Sequence, residues 1–190
     1  MKLLKVETIE TVFEKISGNI KNTNPSENIF ISKSVGRYIS EDILAQNNLP
    51  EFNKSVVDGY AVIGNDTFGA SESIPCFLDI VGKVNIGKTY QGEIKENEAV
   101  YVPTGGIIPN GATAMVMIEY IEKIDENTII VNKPSAPGEG IMFVGDDYKK
   151  DDLLFTKGHR IKRKDIGVLA SQGIEEVEVF KEIKISIIFE

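Results

Sequence analysis

Cysteine and histidine are almost absent from this 190-residue sequence, which contains only Cys76, His159 and no tryptophan. A single cysteine excludes a disulfide within the chain, and such a composition fits a reducing compartment. Metal sites built from clusters of cysteine and histidine are excluded as well. A Ser-His-Asp triad would require His159. Any chemistry must therefore rest mainly on other side chains.

The sequence also lacks long apolar runs and an excess of positive charge. No run approaches the roughly 20 apolar residues of a membrane span, and the N-terminal stretch is too short for a signal peptide. The formal net charge is −8, and the most basic stretch, residues 159–164, is short. Nucleic acid binding needs a basic stripe, so neither a nucleic acid nor a membrane is an expected partner. We expect a cytoplasmic protein.

Apolar residues repeat with helical spacing near both ends of the chain. The spacing predicts three helices, over residues 8–20, 32–43 and 162–173. The polar stretch 22–28 is interpreted as a loop, and 174–180 as a strand. Residues 182–190 look like a further strand in which the chain stops. An unpaired apolar strand makes a poor terminus, so we expect the functional protein to be longer.

The middle of the chain, residues 50–147, differs from both ends in its pattern of apolar and turn-forming residues. Short β-rich runs alternate there with Gly, Pro and Asn, at roughly the spacing of a compact β domain. The runs are VVDGYAVI, FLDIVGKV, AVYVPTGG, AMVMIEYIEKI and NTIIVNK.

The stretch SVVDGYAV, residues 55–62, places Asp58 directly before Gly59 and between apolar residues. Asp-Gly in that setting predicts a β-hairpin with a type I′ turn, whose two central residues need positive φ. A turn also exposes its carboxylate at the edge of a domain. A structural and a functional role of Asp58 are therefore compatible.

Thr104, Gly105 and Gly106 follow a predicted strand. Consecutive glycines can aim backbone N–H groups at an anion, and a threonine hydroxyl can join them. A simple turn at the end of a strand is the alternative. The segment is not a P-loop, because no Gly-Lys-Ser/Thr sequence follows.

Four carboxylates lie within residues 145–152. They are Asp146, Asp147, Asp151 and Asp152. Carboxylate oxygens suit Mg²⁺, which often takes one or two of them together with substrate oxygens. Alternating Asp and Lys are also typical of a solvated turn, and the local pattern leaves both interpretations open.

Taken together and in order, these segments resemble the N-terminal half of the molybdopterin molybdenumtransferases, the MoeA family, which is akin to the E domain of gephyrin. The resemblance covers nearly the whole chain. It is carried by LPEFNKSVVDGYAV (49–62), VYVPTGGIIPNGATAMVMIEY (100–120), GEGIMFVGDD (138–147), LLFTKGHRI (153–161) and DIGVLASQGIEEVEVF (165–180).

The resemblance implies an α+β fold. Residues 1–48 and 148–180 would form an elongated dimerisation domain of helices and strands. Residues 49–147 would form an inserted, mostly antiparallel β domain. Residues 181–190 would begin a truncated pterin-binding domain.

The resemblance also implies an activity. Family members insert molybdate into adenylylated molybdopterin with Mg²⁺ or a similar divalent ion, and act as homodimers with the active site between subunits. Asp58, Thr104 and Asp147 match catalytic positions, Asp58 and Asp147 would hold the metal, and Gly105 and Gly106 would contact the cofactor. Anionic substrates need a cation and aimed donors to offset their charge.

Two departures from the family pattern leave the activity open. Asn53 and Lys54 stand where the family usually has Asp-Asn, and Met142, Phe143 and Val144 stand where arginines are typical. Three interpretations remain. The first is the N-terminal part of a molybdenum insertase, inactive by itself, and the second is a divergent, non-catalytic dimerisation or binding module of the same fold. The third is a soluble β-rich domain with an unknown partner.

Overall fold

The computed structural model describes residues 7–19 and 25–184. The chain forms two units: unit 1 is Met1–Ile43 with Phe155–Glu190, and unit 2 is Leu44–Leu154. The sequence of unit 2 therefore interrupts that of unit 1.

The described residues contain two α-helices and twelve strands. In chain order these are α1 (Ile9–Asn19), β1 (Ser26–Phe30), β2 (Ile43–Leu44), β3 (Lys54–Ser55), β4 (Gly59–Val62), β5 (Cys76–Lys83), β6 (Glu98–Val102), β7 (Ala114–Met117), β8 (Ile121–Lys123), β9 (Thr128–Val131), β10 (Ile141–Met142), β11 (Leu153–Phe155), α2 (Arg163–Ser171) and β12 (Glu176–Phe180). Neither helix is long and apolar enough to cross a membrane.

Unit 1 has a small core between α2 and the antiparallel pair β1–β12. Its buried apolar members are Ile39, Ile161, Leu169, Ile174, Val177 and Val179. Helix α2 ends at Ser171, and Gly173, two residues later, has φ +73°. The N–H groups of Gly173 and Ile174 bond the carbonyl groups of Ala170 and Leu169. This is a Schellman cap, and it confirms the helix predicted over 162–173.

The start of α2 is held by a buried carboxylate. Asp165 Oδ2 accepts the Lys162 N–H at 2.8 Å and lies 2.7 Å from His159 Nε2. Burial alone would raise the pKa of Asp165, but the hydrogen bonds from His159 and Lys162 outweigh it and lower this pKa. The only histidine of the chain thus has a structural partner.

The predictions for the N-terminal region had mixed outcomes. Helix α1 confirms the helix predicted over 8–20, and β12 confirms the strand in 174–180. The helix predicted over 32–43 is wrong, and β1 begins inside the predicted loop 22–28. The strand proposed over 182–190 lies largely outside the described residues.

The segment after residue 33 forms a turn at residues 35–36 and then pairs with other segments of unit 1. Gly36 has φ +89°, a left-handed value that does not continue a helix. Tyr38 then pairs with Arg160, and Ile39 pairs with Val179. The apolar residues of this segment are spaced as in a helix. The backbone instead forms these long-range pairings, which a helix would prevent.

Unit 2 is built on a six-stranded sheet of order β7-β4-β6-β5-β9-β8. Four of its five neighbouring pairs are antiparallel, and β5–β6 is parallel. Each of the five β-rich runs predicted from the sequence contributes at least one strand. The expected α+β fold with a mostly antiparallel β domain is confirmed.

Both faces of this sheet are covered at its centre. Tyr60 and Val62 of β4 belong to one buried cluster, whereas Ala61 between them belongs to another. Strands β6 and β7 alternate in the same way, as period-2 side-chain geometry requires. Strand β4 is therefore buried along its whole length.

Candidate functional site

Three segments that carry the predicted site residues lie side by side around β3. On one side, β10 pairs antiparallel with it, so that Met142 is opposite Lys54. On the other side, the turn 103–106 bonds to it: Ser55 donates its N–H to Gly106 and accepts the N–H of Gly105. We call β3, the residues up to Asp58, the turn 103–106 and β10 the β3 site.

Asp58 lies in a bend between β3 and β4. The Ser55 hydroxyl begins this bend by donating a 2.6 Å hydrogen bond to the Val57 carbonyl. The predicted hairpin is wrong, because β4 pairs with β6 and β7 whereas β3 pairs with β10. Gly59 also does not have the positive φ that a type I′ turn needs.

Gly59 is required for a different reason, which is the close approach of β7. An ideal Cβ at this position would lie 2.0 Å from the Val116 carbonyl oxygen and 2.9 Å from its carbonyl carbon. Both atoms belong to the backbone. Only glycine lets β4 and β7 pair at this distance, and that pairing places Asp58 immediately before the start of β4.

The Asp58 carboxylate contacts the predicted partner segment directly. Its Oδ1 accepts the Thr104 N–H at 2.9 Å, across 46 residues of sequence. Both side chains are exposed. The structure therefore brings the acid and the hydroxyl-bearing residue together on the surface of unit 2.

The glycines of the turn do not point free N–H groups at an anion. The Gly105 N–H bonds the Ser55 carbonyl, and the Gly106 N–H bonds the Pro103 carbonyl, each at 2.8 Å. With the Thr104 N–H given to Asp58, all three consecutive donors are used within the protein. The anion bound by this turn is the Asp58 carboxylate itself.

Two of the four aspartates after β10 cap backbone turns with their side chains. Asp146 Oδ2 accepts the Phe143 N–H, and Asp152 Oδ2 accepts the Lys149 N–H, both at 2.7 Å. The exposed Asp147 donates its N–H to the Leu49 carbonyl. This geometry agrees with the solvated-turn interpretation.

Asp58 is the last residue of the segment 49–58, whereas Asp147 bonds to Leu49, the first residue of that segment. Across residues 7–19 and 25–184, no group of three or more His, Cys, Asp or Glu side chains could hold a metal ion. The described carboxylates therefore do not form a metal cage by themselves. At the β3 site, the residue suited to binding a cation is Asp58.

Two other titratable side chains of unit 2 are poorly suited to acid–base or nucleophilic work. Burial raises the pKa of the Tyr60 phenol, with a further contribution from Tyr101. Burial likewise raises the pKa of the Cys76 thiol. Both groups are held in their neutral forms, so the thiolate that would act as a nucleophile is disfavoured.

Comparisons with known proteins agree with the resemblance found in the sequence. Residues 7–173 match the family described as MoeA N-terminal region (domain I and II). The chain is 37% identical over 180 residues to a molybdopterin biosynthesis protein of Methanocaldococcus jannaschii. It is 33% identical over 170 residues to the molybdopterin molybdenumtransferase of Staphylococcus aureus strain Mu50. These matches cover 95% and 90% of the chain, but 42% and 40% of the relatives.

A solved structure also shares the fold. The molybdopterin biosynthesis MoeA protein of Pyrococcus horikoshii OT3 superposes with a TM-score of 0.82 at 32% identity, over 93% of this chain and 46% of that one. The chain thus spans less than half the length of the relatives it matches. It belongs to the family of MoeA N-terminal regions, domains I and II.

Proposed function

We propose that this chain is the N-terminal part of a molybdenum insertase, which transfers molybdate into adenylylated molybdopterin during molybdenum cofactor biosynthesis. Family membership and the names of the curated relatives support this proposal. The single observation that carries it is the hydrogen bond from the Thr104 N–H to the Asp58 carboxylate. That bond holds an acid and a hydroxyl together at an exposed edge, where a substrate can reach both.

Each residue of the β3 site has a separate role in this proposal. The Asp58 carboxylate orients Thr104 through its backbone, and the Thr104 hydroxyl donates to an anionic oxygen of the substrate. Gly105, with φ +80°, gives the turn its shape. An ideal Cβ on Gly106 would lie 2.7 Å from Val102 Cγ1, so this glycine lets the turn pack against β6. Asp147, whose N–H bonds the Leu49 carbonyl, would contribute its carboxylate at the other end of the segment 49–58.

A Mg²⁺ ion is part of the proposal only as an ion shared with the substrate. Such ions usually take one or two protein carboxylates plus substrate oxygens, and they neutralise charge that develops during transfer. Asp58 fits this role, because only one of its oxygens accepts a hydrogen bond from the described residues. Asp147 would be a second ligand only after the substrate had bound.

The proposal is tested with a fusion in which this chain replaces the matching 170 residues of the Staphylococcus aureus relative. We expect the fusion to form molybdenum cofactor from adenylylated molybdopterin, molybdate and Mg²⁺. The chain alone should show only background, since it spans 40% of that relative. Product is measured as cofactor transferred to an apo-molybdoenzyme.

Circular dichroism and mass measurements must show that the fusion is folded and has the same subunit number as the parent enzyme. A folded fusion that binds the pterin substrate but forms no cofactor would contradict the proposal. It would instead favour the non-catalytic module. Phe143 and Val144 support that alternative, because they are 44% and 40% exposed at positions where the resemblance implies that arginines are typical.

We further propose that the protein is a cytoplasmic homodimer, as the resemblance implies. Helix α1 supports self-association, since its apolar residues Ile9, Val12, Phe13 and Ile16 are between 43% and 72% exposed. An isolated helix of 11 residues is marginal in water and needs a surface to pack against.

Light scattering at micromolar concentration should give twice the chain mass of 21.0 kDa. Phe13→Glu should shift the mass toward the monomer, whereas Glu14→Gln, on the same helix, should not. A monomer mass for the unchanged chain would refute the dimer.

A further inference from the structure

Lys54 occupies the centre of the β3 site. It is opposite Met142 of β10 on one side and bridges to Ile107 on the other. Directly paired residues of neighbouring strands point to the same face, so the lysine is flanked by two apolar side chains. Lys54 itself is half-buried. Apolar neighbours lower the local dielectric, which strengthens any charge interaction that the ammonium group makes.

No other cation is present in the three segments that form the site. Residues 49–62, 103–108 and 138–147 contain Lys54 as their one Lys or Arg. The next cations, Lys149 and Lys150, lie near the opposite end, where the Lys150 N–H bonds Asn48. Within these segments, Lys54 is therefore the one cationic side chain that an anion at Thr104 could meet.

This lysine also has no acid to neutralise it among the described residues. The ion pairs there are Lys15–Glu7, Arg37–Glu27 and His159–Asp165. Asp58 does not form an ion pair with Lys54; its carboxylate accepts the Thr104 N–H through one oxygen. A half-buried lysine with no acidic partner is available for an external anion, since partial burial of an unpaired charge is costly.

We infer that Lys54 binds a tetrahedral oxyanion at the β3 site, next to the Thr104 turn. The inference rests on the proposed function, because that function requires anionic substrates. Two sources share this chemistry: the molybdate ion, and a phosphate group of the pterin substrate. Lys54 binds the anion as a point charge on a flexible stem, while the turn provides the Thr104 hydroxyl.

The test is a titration of the 190-residue chain with sodium molybdate alone, and separately with pyrophosphate alone. Amide chemical shifts of residues 54–58 and 104–106 are followed by NMR. We expect saturable shifts with at least one anion, and binding on the order of tenfold weaker in Lys54→Met. Lys54→Arg should restore the affinity. Lys123→Met removes an exposed lysine from β8 of the same unit and should change nothing.

The two arms identify the source of the anion. Saturation by molybdate points to the metal oxide, and saturation by pyrophosphate points to the substrate phosphates. Either result supports the inference when Lys54→Met weakens it and thermal unfolding of that variant is unchanged. Absence of saturable shifts in both arms, or equal affinity of Lys54→Met and the unchanged chain, would overturn it.

The outcome is independent of the transferase test. An active fusion protein combined with no anion binding at Lys54 would leave the proposed function standing and remove this inference. If anion binding depended on Lys54 but the folded fusion were inactive, the inference about Lys54 would stand and the proposed function would be contradicted.

Discussion

Gly59→Ala is expected to destabilise unit 2 by about 3 kcal/mol or more, and to leave it largely unfolded at moderate urea concentration. The added Cβ would overlap the carbonyl oxygen of Val116, at 2.0 Å. That oxygen cannot move aside easily, because it belongs to β7, which pairs with β4 along four residues. Urea titration followed by the amide NMR signals of β4 measures the effect.

Gly167→Ala is the matched control. Gly167 lies inside α2, and an added Cβ there would meet nothing within 4 Å. Alanine is the better helix former, so this variant should gain up to about 1 kcal/mol. If Gly59→Ala were as stable as the unchanged chain, the close approach of β4 and β7 would be wrong, and so would the position of Asp58 that depends on it.

Asp58→Ala should lower the transferase activity of the fusion protein by about a hundredfold or more, while unfolding free energy changes by no more than about 1 kcal/mol. The stability effect is small because the carboxylate is exposed and water can replace it at the Thr104 N–H. The activity effect is large because the turn loses its anchor and the site loses its acid. Initial rates and urea unfolding are measured on the same preparations.

Asp58→Asn separates the two contributions of this side chain. Its amide oxygen can still accept the Thr104 N–H, but the negative charge is gone. We expect an activity between those of the unchanged fusion and Asp58→Ala, with weaker dependence on Mg²⁺.

Asp125→Ala is the control, since the Asp125 carboxylate accepts the Asn127 N–H at 2.7 Å on the same unit. This variant should retain full activity. If Asp58→Ala did the same, Asp58 would be a purely structural residue.

Predictions based on local pattern succeeded where the structure depends on neighbouring residues. Helix α2 follows from apolar spacing plus Gly173 two residues after its end, and all its caps lie within a few residues. The segment 32–43 shows the limit of such reasoning. Its apolar spacing resembles a helix, but Ile39 is bonded to His159, which is 120 positions away.

The two bends at Asp58 and Thr104 illustrate the same limit within the site. Asp-Gly predicted a hairpin, yet Gly59 is needed because of Val116, a residue that no local pattern connects to it. The double glycine was compatible with free N–H donors or with a simple turn, and the structure shows that Ser55 and Pro103 accept both N–H groups. The resemblance identified Asp58 and Thr104 as site residues, but it did not show that a hydrogen bond from the Thr104 backbone joins them.

By itself, the sequence determined the family, the β-rich middle of the chain and the exclusion, within these 190 residues, of a disulfide and of metal centres built from Cys and His clusters. These follow from composition and from the order of short motifs, which are properties of the chain alone. Only the tertiary structure decided that the turn at 103–106 binds the Asp58 carboxylate and that Lys54 lies between that turn and β10. The physical reason is that such hydrogen bonds join residues some 50 to 90 positions apart, and packing, not local spacing, selects their partners.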